Sequence, residues 1–115
     1  MREIEYQNYI FYIGQNAKEN WELLDKLSKI NNEYIWFHLN SFASPYVIVN
    51  TSINELSNTS FKSDILNYGS QLCKDYSKYK FLSNLKIIYT SLKKLKKTDK
   101  TGEVLITGKK NIISL

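Results

Sequence analysis

The segment from Tyr34 to Val49 holds side chains suited to ligand contact: one of the two tryptophans, the only histidine and the only proline of the chain. Along it two sets of residues alternate, Ile35, Phe37 and Leu39 with Trp36, His38 and Asn40. This is the two-residue period of a β-strand. One face is therefore predicted to enter the core, while the other presents an indole, an imidazole and an amide, groups that stack on or hydrogen-bond to a ligand.

His38 has three conceivable roles: a polar ligand contact, a general base, or a structural side chain. Catalysis is the least supported, because the sequence has no second histidine, no cysteine pair and no metal-binding spacing. Trp36 shares the predicted strand face with His38 and is either a core residue or a stacking platform. We expect no catalytic residue, no metal and no cofactor, and therefore a protein that is not an enzyme.

A run of lysines near the C-terminus is the second candidate for ligand contact. Residues 58–115 hold twelve lysines against four acidic residues, whereas residues 1–57 hold four basic residues against seven acidic ones. The run is either a solvated loop or a surface for a polyanion, and the charge asymmetry together with nearby aromatic residues favours the polyanion. Lysine–phosphate contacts do not distinguish RNA from DNA. The predicted contacts are Lys93, Lys94, Lys96, Lys97 and Lys100.

A third candidate lies at Gly14, Gln15, Asn16 and Asn20, where a turn leads into a predicted helix. Backbone amides at the start of a helix can bind a phosphate. Asn16 is equally suited to cap that helix, with Glu19 three residues later as the partner in a capping box. The sequence leaves both interpretations open.

The hydrophobic periodicity predicts the order ββαββαβββ, an α+β fold with a mostly antiparallel sheet of six to seven strands and two helices on one face. Residues 16–30 and 60–79 have helical spacing, and residues 50–60 are predicted to be a long polar loop. Residues 91–101 are predicted to be a basic loop with at most one helical turn, and residues 111–115 a final hairpin strand. Gly69 within the second helix suggests close packing against the sheet.

With 115 residues and 43% hydrophobic side chains, the chain has the size and composition of one globular domain, residues 1–115. No apolar run reaches the roughly 18 residues of a membrane span. The N-terminal residues lack the apolar stretch of a secretory signal, and a single cysteine cannot form an internal disulfide. A cytoplasmic location with no membrane partner is therefore expected.

Several segments, taken in order, resemble the NFACT-R domain, an RNA-binding module of ribosome-associated quality-control and fibronectin-binding-like proteins. Gly14 to Asn20 is similar to its Gly-Arg-Asn-x-x-x-Asn segment, with Gln15 in place of arginine. Ile35 to His38 resembles its Asp-x-Trp-Phe-His signature, with Tyr34 in place of aspartate. Ala43 to Val47 resembles a Ser-x-His-Val segment, with Tyr46 in place of histidine. The later helix, the strand and Lys96–Val104 resemble the stretch that ends the domain.

This resemblance implies a non-catalytic RNA-binding domain that contacts tRNA or rRNA in translation or ribosome quality control, with no small-molecule substrate. It suggests the ribosome or a ribosome-associated protein as further partners. Two alternatives remain at this point: an adaptor that docks on a ribosome-associated protein, and a general nucleic-acid binder that also accepts DNA.

Overall fold

Six antiparallel strands form the main sheet of the protein, which a computed structural model describes for all of residues 1–115. The strands are β1 (Arg2–Tyr6), β2 (Tyr9–Ile13), β3 (Tyr34–Leu39), β4 (Val47–Ser52), β5 (Lys86–Ser91), β6 (Leu95–Lys97), β7 (Val104–Ile106) and β8 (Asn111–Ser114). Their order in the main sheet is β1-β2-β4-β3-β5-β8, and a separate two-stranded sheet pairs β6 with β7. The α+β class and the mostly antiparallel sheet are thus confirmed.

The three helices are α1 (Ala17–Ile30), α2 (Ile53–Ser57) and α3 (Lys62–Asp75). Asn16 caps α1, because its side chain accepts a hydrogen bond from Glu19 N at 2.9 Å. Ser52 caps α2 in the same way through Glu55 N at 3.0 Å. The predicted long polar loop over residues 50–60 is therefore wrong in part, since a serine that accepts from the amide three residues later begins a short helix there.

The two long helices lie on opposite faces of the sheet, so the expected placement of both on one face is wrong. Phe37 and its strand neighbours pack with α3, while Trp36, Ile48 and Ile88 pack with Leu23, Leu24 and Leu27 of α1. The central strands carry apolar side chains on both faces, and each face needs a cover to keep those side chains from water. Alternation along β3 separates two buried faces rather than a buried face and an open one.

Gly69 of α3 lies directly against the ring of Phe37. A Cβ atom built at Gly69 would come within 2.4 Å of the Phe37 ring, a distance that real side chains do not tolerate. The predicted close approach of this helix to the sheet is confirmed, and the missing side chain is what permits it.

The C-terminal region is more ordered than a basic loop. A 3-10 turn, Leu92–Lys94, leads into β6, which pairs with β7 from Lys97↔Val104 to Leu95↔Ile106. Leu95, Val104 and Ile106 pack against the cluster under α1, and this burial explains why few apolar residues suffice to hold the hairpin. β8 pairs with β5, not with β7 as predicted. None of the three helices has both the length and the hydrophobicity of a membrane-spanning helix.

Candidate nucleic-acid interface

A pocket of about 710 Å³ opens where four parts of the chain meet. They are the start of α1, the connection from β3 to β4, the segment that follows α3, and the turn between β6 and β7. We call it the hairpin pocket. The lining side chains that bear on ligand contact are Gln15, Asn16, Asn20, Trp36, His38, Phe42, Tyr46, Tyr76, Lys78, Tyr79, Lys100 and Glu103.

Asn20 fixes the back of the hairpin pocket by joining α1 to β4. Its Oδ1 accepts a hydrogen bond from Tyr46 N at 3.1 Å, and Gly14 N donates to Tyr46 O at 3.0 Å. A Cβ atom at Gly14 would meet Asn20 Oδ1 at 2.2 Å. Gly14 is buried and does not line the pocket, so in this structure Gly14 and Asn20 hold the helix start against the sheet.

Tyr46 attaches the β6–β7 turn to this joint. Its hydroxyl donates to Gly102 O at 2.7 Å, and burial raises the pKa of the phenol well above its ordinary value. Gly102 has φ +88°, and a Cβ there would lie 2.7 Å from Ala17 Cβ. The turn can therefore lie against the first turn of α1 only because residue 102 has no side chain.

His38 lies in the wall of the hairpin pocket, and Trp36 lies beneath it in the core. The two rings stack with centroids 5.3 Å apart and planes 4° apart. Trp36 is 2% exposed, so its ring is not the open stacking platform considered from the sequence. Tyr46 meets both rings edge-on, at 5.4 and 5.7 Å. Burial lowers the pKa of the His38 imidazole.

The start of α1 is already partly neutralised by a carboxylate. Glu19 Oε1 accepts hydrogen bonds from Gln15 N at 3.0 Å and from the N-terminal amine of Met1 at 2.9 Å. These contacts lower the pKa of Glu19. Asn16 serves as the cap, so the structure favours capping over phosphate binding by this turn, although Gln15 and Asn16 do line the pocket.

The predicted lysines fall into two groups. Lys93 pairs with Glu33, and Lys97 pairs with Asp25 at 2.6 Å and lies 4.8 Å from the Trp21 ring centroid. Lys94, Lys96 and Lys100 have no carboxylate partner. Of these five lysines, only Lys100 lines the hairpin pocket. The structure thus brings together Gln15, Asn16, Asn20, Trp36, His38 and Lys100, and leaves the other four lysines outside the pocket.

Sequence reasoning did not select Lys78 or Phe42, and Tyr76 and Tyr79 entered it only as aromatic residues near the lysine run. Lys78 and Phe42 are exposed, and the Phe42 and Tyr79 rings lie 4.5 Å apart. The only local signal is the Tyr-Ser-Lys-Tyr stretch after α3, where a lysine stands between two aromatic residues. Its position beside His38 depends on the path of the chain and not on spacing in the sequence.

The chain has no group of three or more His, Cys, Asp or Glu side chains placed to hold a metal ion. His38 Nδ1 contacts Leu39 O at 2.8 Å, and no carboxylate is hydrogen-bonded to the ring. The hairpin pocket presents aromatic rings, amides, two lysines and the carboxylate of Glu103, and side chains of these types can bind a ligand.

Comparison with solved structures shows where this fold has been seen before. The chain is similar to the C-terminal part of the fibronectin/fibrinogen-binding protein from Streptococcus suis, with a TM-score of 0.76 and 21% sequence identity. The match covers 93% of this chain and 40% of that one, so the chain spans less than half of the structure that it matches. At this identity the likeness concerns the fold alone. A comparison with curated proteins found no match.

Comparison with protein families is more specific. The sequence model of the family described as the NFACT protein RNA binding domain matches residues 2–114, essentially the whole chain. The match includes β3 with Trp36 and His38, the start of α1 and the β6–β7 hairpin, which are the parts that build the hairpin pocket. The chain therefore belongs to the NFACT RNA-binding domain family.

Proposed function

We propose that this protein binds RNA without catalysis, that the RNA is a tRNA or rRNA, and that it acts in translation in the cytoplasm. The observation that carries the proposal is the hairpin pocket, which combines aromatic rings with Lys78 and Lys100 beside the lysine-bearing β6–β7 hairpin. Single-stranded nucleic-acid binders combine basic side chains for phosphates with rings for bases. Membership of an RNA-binding domain family supports RNA as the polyanion.

The pattern of ion pairs supports phosphate contact. Of the twelve lysines in residues 58–115, Lys93 and Lys97 pair with an acidic side chain, and Lys74 Nζ donates to Leu115 O at 3.4 Å. An ammonium group without a protein partner can meet a phosphate without first breaking a contact. We therefore assign Lys78, Lys94, Lys96 and Lys100 to the phosphates, and assign Lys93 and Lys97 mainly to holding the hairpin against Glu33 and α1.

The test measures binding of a fluorescent tRNA by anisotropy over a range of salt concentrations. Four engaged lysines predict a log–log slope of about −3 for single-stranded contact, at about 0.7 per phosphate. Changing Lys78, Lys94, Lys96 and Lys100 to Gln should remove most of this slope. The matched control changes Lys26, Lys29, Lys62 and Lys86 to Gln, which alters the net charge equally outside the pocket. No tRNA binding at low salt, or equal losses in both variants, would refute the proposal.

A second candidate function, a protein-interaction adaptor, is favoured by exposed apolar side chains, one in the lining of the pocket and two that follow Tyr79 closely in the chain. Phe81 is 90% exposed, Leu82 48% and Phe42 40%. Lys80 Nζ lies 5.2 Å from the Phe81 ring centroid, so positive charge lies together with apolar surface there. This function predicts capture of a ribosome-associated protein that survives nuclease treatment. Loss of all captured protein after nuclease treatment would leave RNA binding alone.

A further inference from the structure

The hairpin pocket contains an acceptor for which the protein supplies no donor. His38 Nδ1 lies 2.8 Å from Leu39 O, and since a carbonyl oxygen can only accept, Nδ1 carries the proton. Burial lowers the pKa of this ring, so the ring is neutral near pH 7 and Nε2 is an unprotonated acceptor. Nε2 makes no hydrogen bond within the protein, and His38 lines the pocket.

The other charged groups of the hairpin pocket are two cations and one carboxylate. Lys78 and Lys100 are exposed cations that suit a phosphate, whereas Glu103 is the one carboxylate of the lining. Glu103 is exposed, so its carboxylate is hydrated without a ligand partner. A ligand that satisfies the pocket therefore has an anionic group for the lysines and at least one N–H donor for His38 Nε2.

The volume of the hairpin pocket and its aromatic rings limit further which class of ligand fits. About 710 Å³ falls within the roughly 300–1,000 Å³ of pockets that enclose a small ligand. Tyr76, Tyr79 and Phe42 all belong to the lining, and the Phe42 and Tyr79 rings contact each other with centroids 4.5 Å apart. The open face of an aromatic ring suits stacking by a flat heterocycle. A base within an RNA duplex is stacked on both faces, and the deep, narrow major groove keeps side chains from its amine, so the ligand is unpaired.

We propose that the hairpin pocket holds one unpaired nucleotide of the bound RNA, with an exocyclic amine of its base donating to His38 Nε2 and its phosphate contacting Lys78 and Lys100. This inference rests on the RNA-binding function proposed above and specifies which part of the RNA enters the pocket. It predicts a preference for a bulged or looped nucleotide over continuous duplex. It also predicts that cytosine, whose N4 is a donor, binds better than uracil, whose O4 is an acceptor.

The experiment uses four RNA hairpins that share one stem and differ at one position: no bulge, an abasic bulge, a single bulged C and a single bulged U. Affinities are measured by anisotropy at one salt concentration with the full chain. We expect the bulged C to bind about tenfold more tightly than the continuous stem, from contact of one base with aromatic rings. We expect the C over U preference to be about fivefold, the worth of one neutral hydrogen bond.

The outcomes separate this inference from the proposed function. If no hairpin binds, the RNA-binding function itself fails. If all four hairpins bind equally, RNA binding stands and the unpaired-nucleotide site is refuted. Equal binding of bulged C and bulged U refutes the donor assignment at His38. Free CMP should compete only weakly, and CMP binding as tight as that of the bulged C would identify a mononucleotide ligand and overturn the proposal.

A variant at His38 tests the residue directly. His38→Phe keeps a ring over Trp36 and removes the acceptor, so the bulged C should bind no better than the bulged U. Thermal unfolding checks that the variant is folded. If His38→Phe does not fold, His38→Gln serves in its place, because its amide offers both a donor and an acceptor and should narrow the preference. An unchanged C over U ratio in the folded variant would contradict the proposed contact.

Discussion

Asn20 joins helix α1 to strand β4 through one buried amide oxygen. The residue is 5% exposed, its Oδ1 accepts from Tyr46 N, and Gly14 leaves the space that this oxygen occupies. His38, in turn, sits half-buried on Trp36 with its Nδ1 directed to a backbone carbonyl. In both cases a polar side chain has a partner inside the protein, so these residues stabilise the walls of the hairpin pocket as well as lining it.

Replacing Asn20 with alanine should lower the free energy of unfolding by about 1–3 kcal/mol, the cost of leaving a buried N–H without an acceptor. Asn54→Ala is the matched control, because the Asn54 side chain is exposed and makes no hydrogen bond. It should change stability by less than about 0.5 kcal/mol. Urea unfolding measures both free energies of unfolding. Equal effects would show that the buried hydrogen bond between Asn20 and Tyr46 does not stabilise the protein.

His38 should make the protein less stable in mild acid. Its pKa in the folded protein is lowered from 6.5 by burial, so between these two pKa values the unfolded chain binds more protons than the folded one. The free energy of unfolding therefore has its full value above the pKa of His38 in the unfolded chain and declines as the pH falls below about 6.5. Because this is the only histidine of the chain, His38→Gln should show a flatter profile of unfolding temperature between pH 7.5 and 5. Parallel profiles would contradict this account.

The β6–β7 hairpin is the element that completes the pocket, and it is attached at few points. Tyr46 donates to Gly102 O, Lys97 pairs with Asp25, and Lys93 N, just before β6, donates to Asn32 O at 2.8 Å. Leu95, Val104 and Ile106 add apolar contact. The sheet and α1 form the fixed side of the hairpin pocket, and the hairpin turn is the side whose position depends on these contacts.

Substitutions at Gly102 and Gly108 separate the cost of a left-handed backbone from the cost of the close contact between the β6–β7 turn and α1. Gly102 has φ +88°, and a Cβ atom there would lie 2.7 Å from Ala17. Gly108 has φ +95°, and the nearest atom to a Cβ there would be in the Lys94 side chain, 3.9 Å away. Gly108→Ala should cost about 1–2 kcal/mol from the left-handed backbone alone. Gly102→Ala should cost about 2–4 kcal/mol, because overpacking adds to the backbone term. Urea unfolding gives both values, and equal costs would mean that the approach to Ala17 imposes no constraint.

At the scale of the whole molecule, charge is divided between the two halves of the chain, yet the fold brings the halves together. Asp25 and Glu33 of the acidic half neutralise Lys97 and Lys93 of the basic half. The cations left free include those at the hairpin pocket, where Glu103 is the only acidic residue of the lining. The number of free cations is thus smaller than the lysine count suggests, and two of them, Lys78 and Lys100, line the hairpin pocket.

Glu103→Gln should raise the affinity for RNA by about threefold, since it removes the carboxylate that repels phosphate at the pocket. Asp99→Asn is the matched control, because Asp99 lies in the same turn and is exposed but does not line the pocket. Its effect should be smaller than that of Glu103→Gln. Anisotropy with tRNA at fixed salt measures both. A decrease with Glu103→Gln would indicate that this carboxylate contacts the ligand favourably.

The amino-acid sequence by itself determined the α+β class, the strand at Tyr34–Leu39, the helix that begins after Asn16 and the family resemblance. These follow from local signals: the alternation of apolar residues, the cap at Asn16 and the Trp-Phe-His core. It also predicted that Gly69 packs closely against the sheet. Such features depend on residues near each other in the chain, which is why a single sequence reveals them.

Only the tertiary structure decided which face each helix covers, which lysines are free and what lines the hairpin pocket. Whether Trp36 is open or buried depends on α1, and whether Lys97 is free depends on Asp25, a residue 72 positions earlier. Lys78 reaches the pocket from the segment after α3. These outcomes are set by contacts between distant segments, and no local pattern of residue types encodes them.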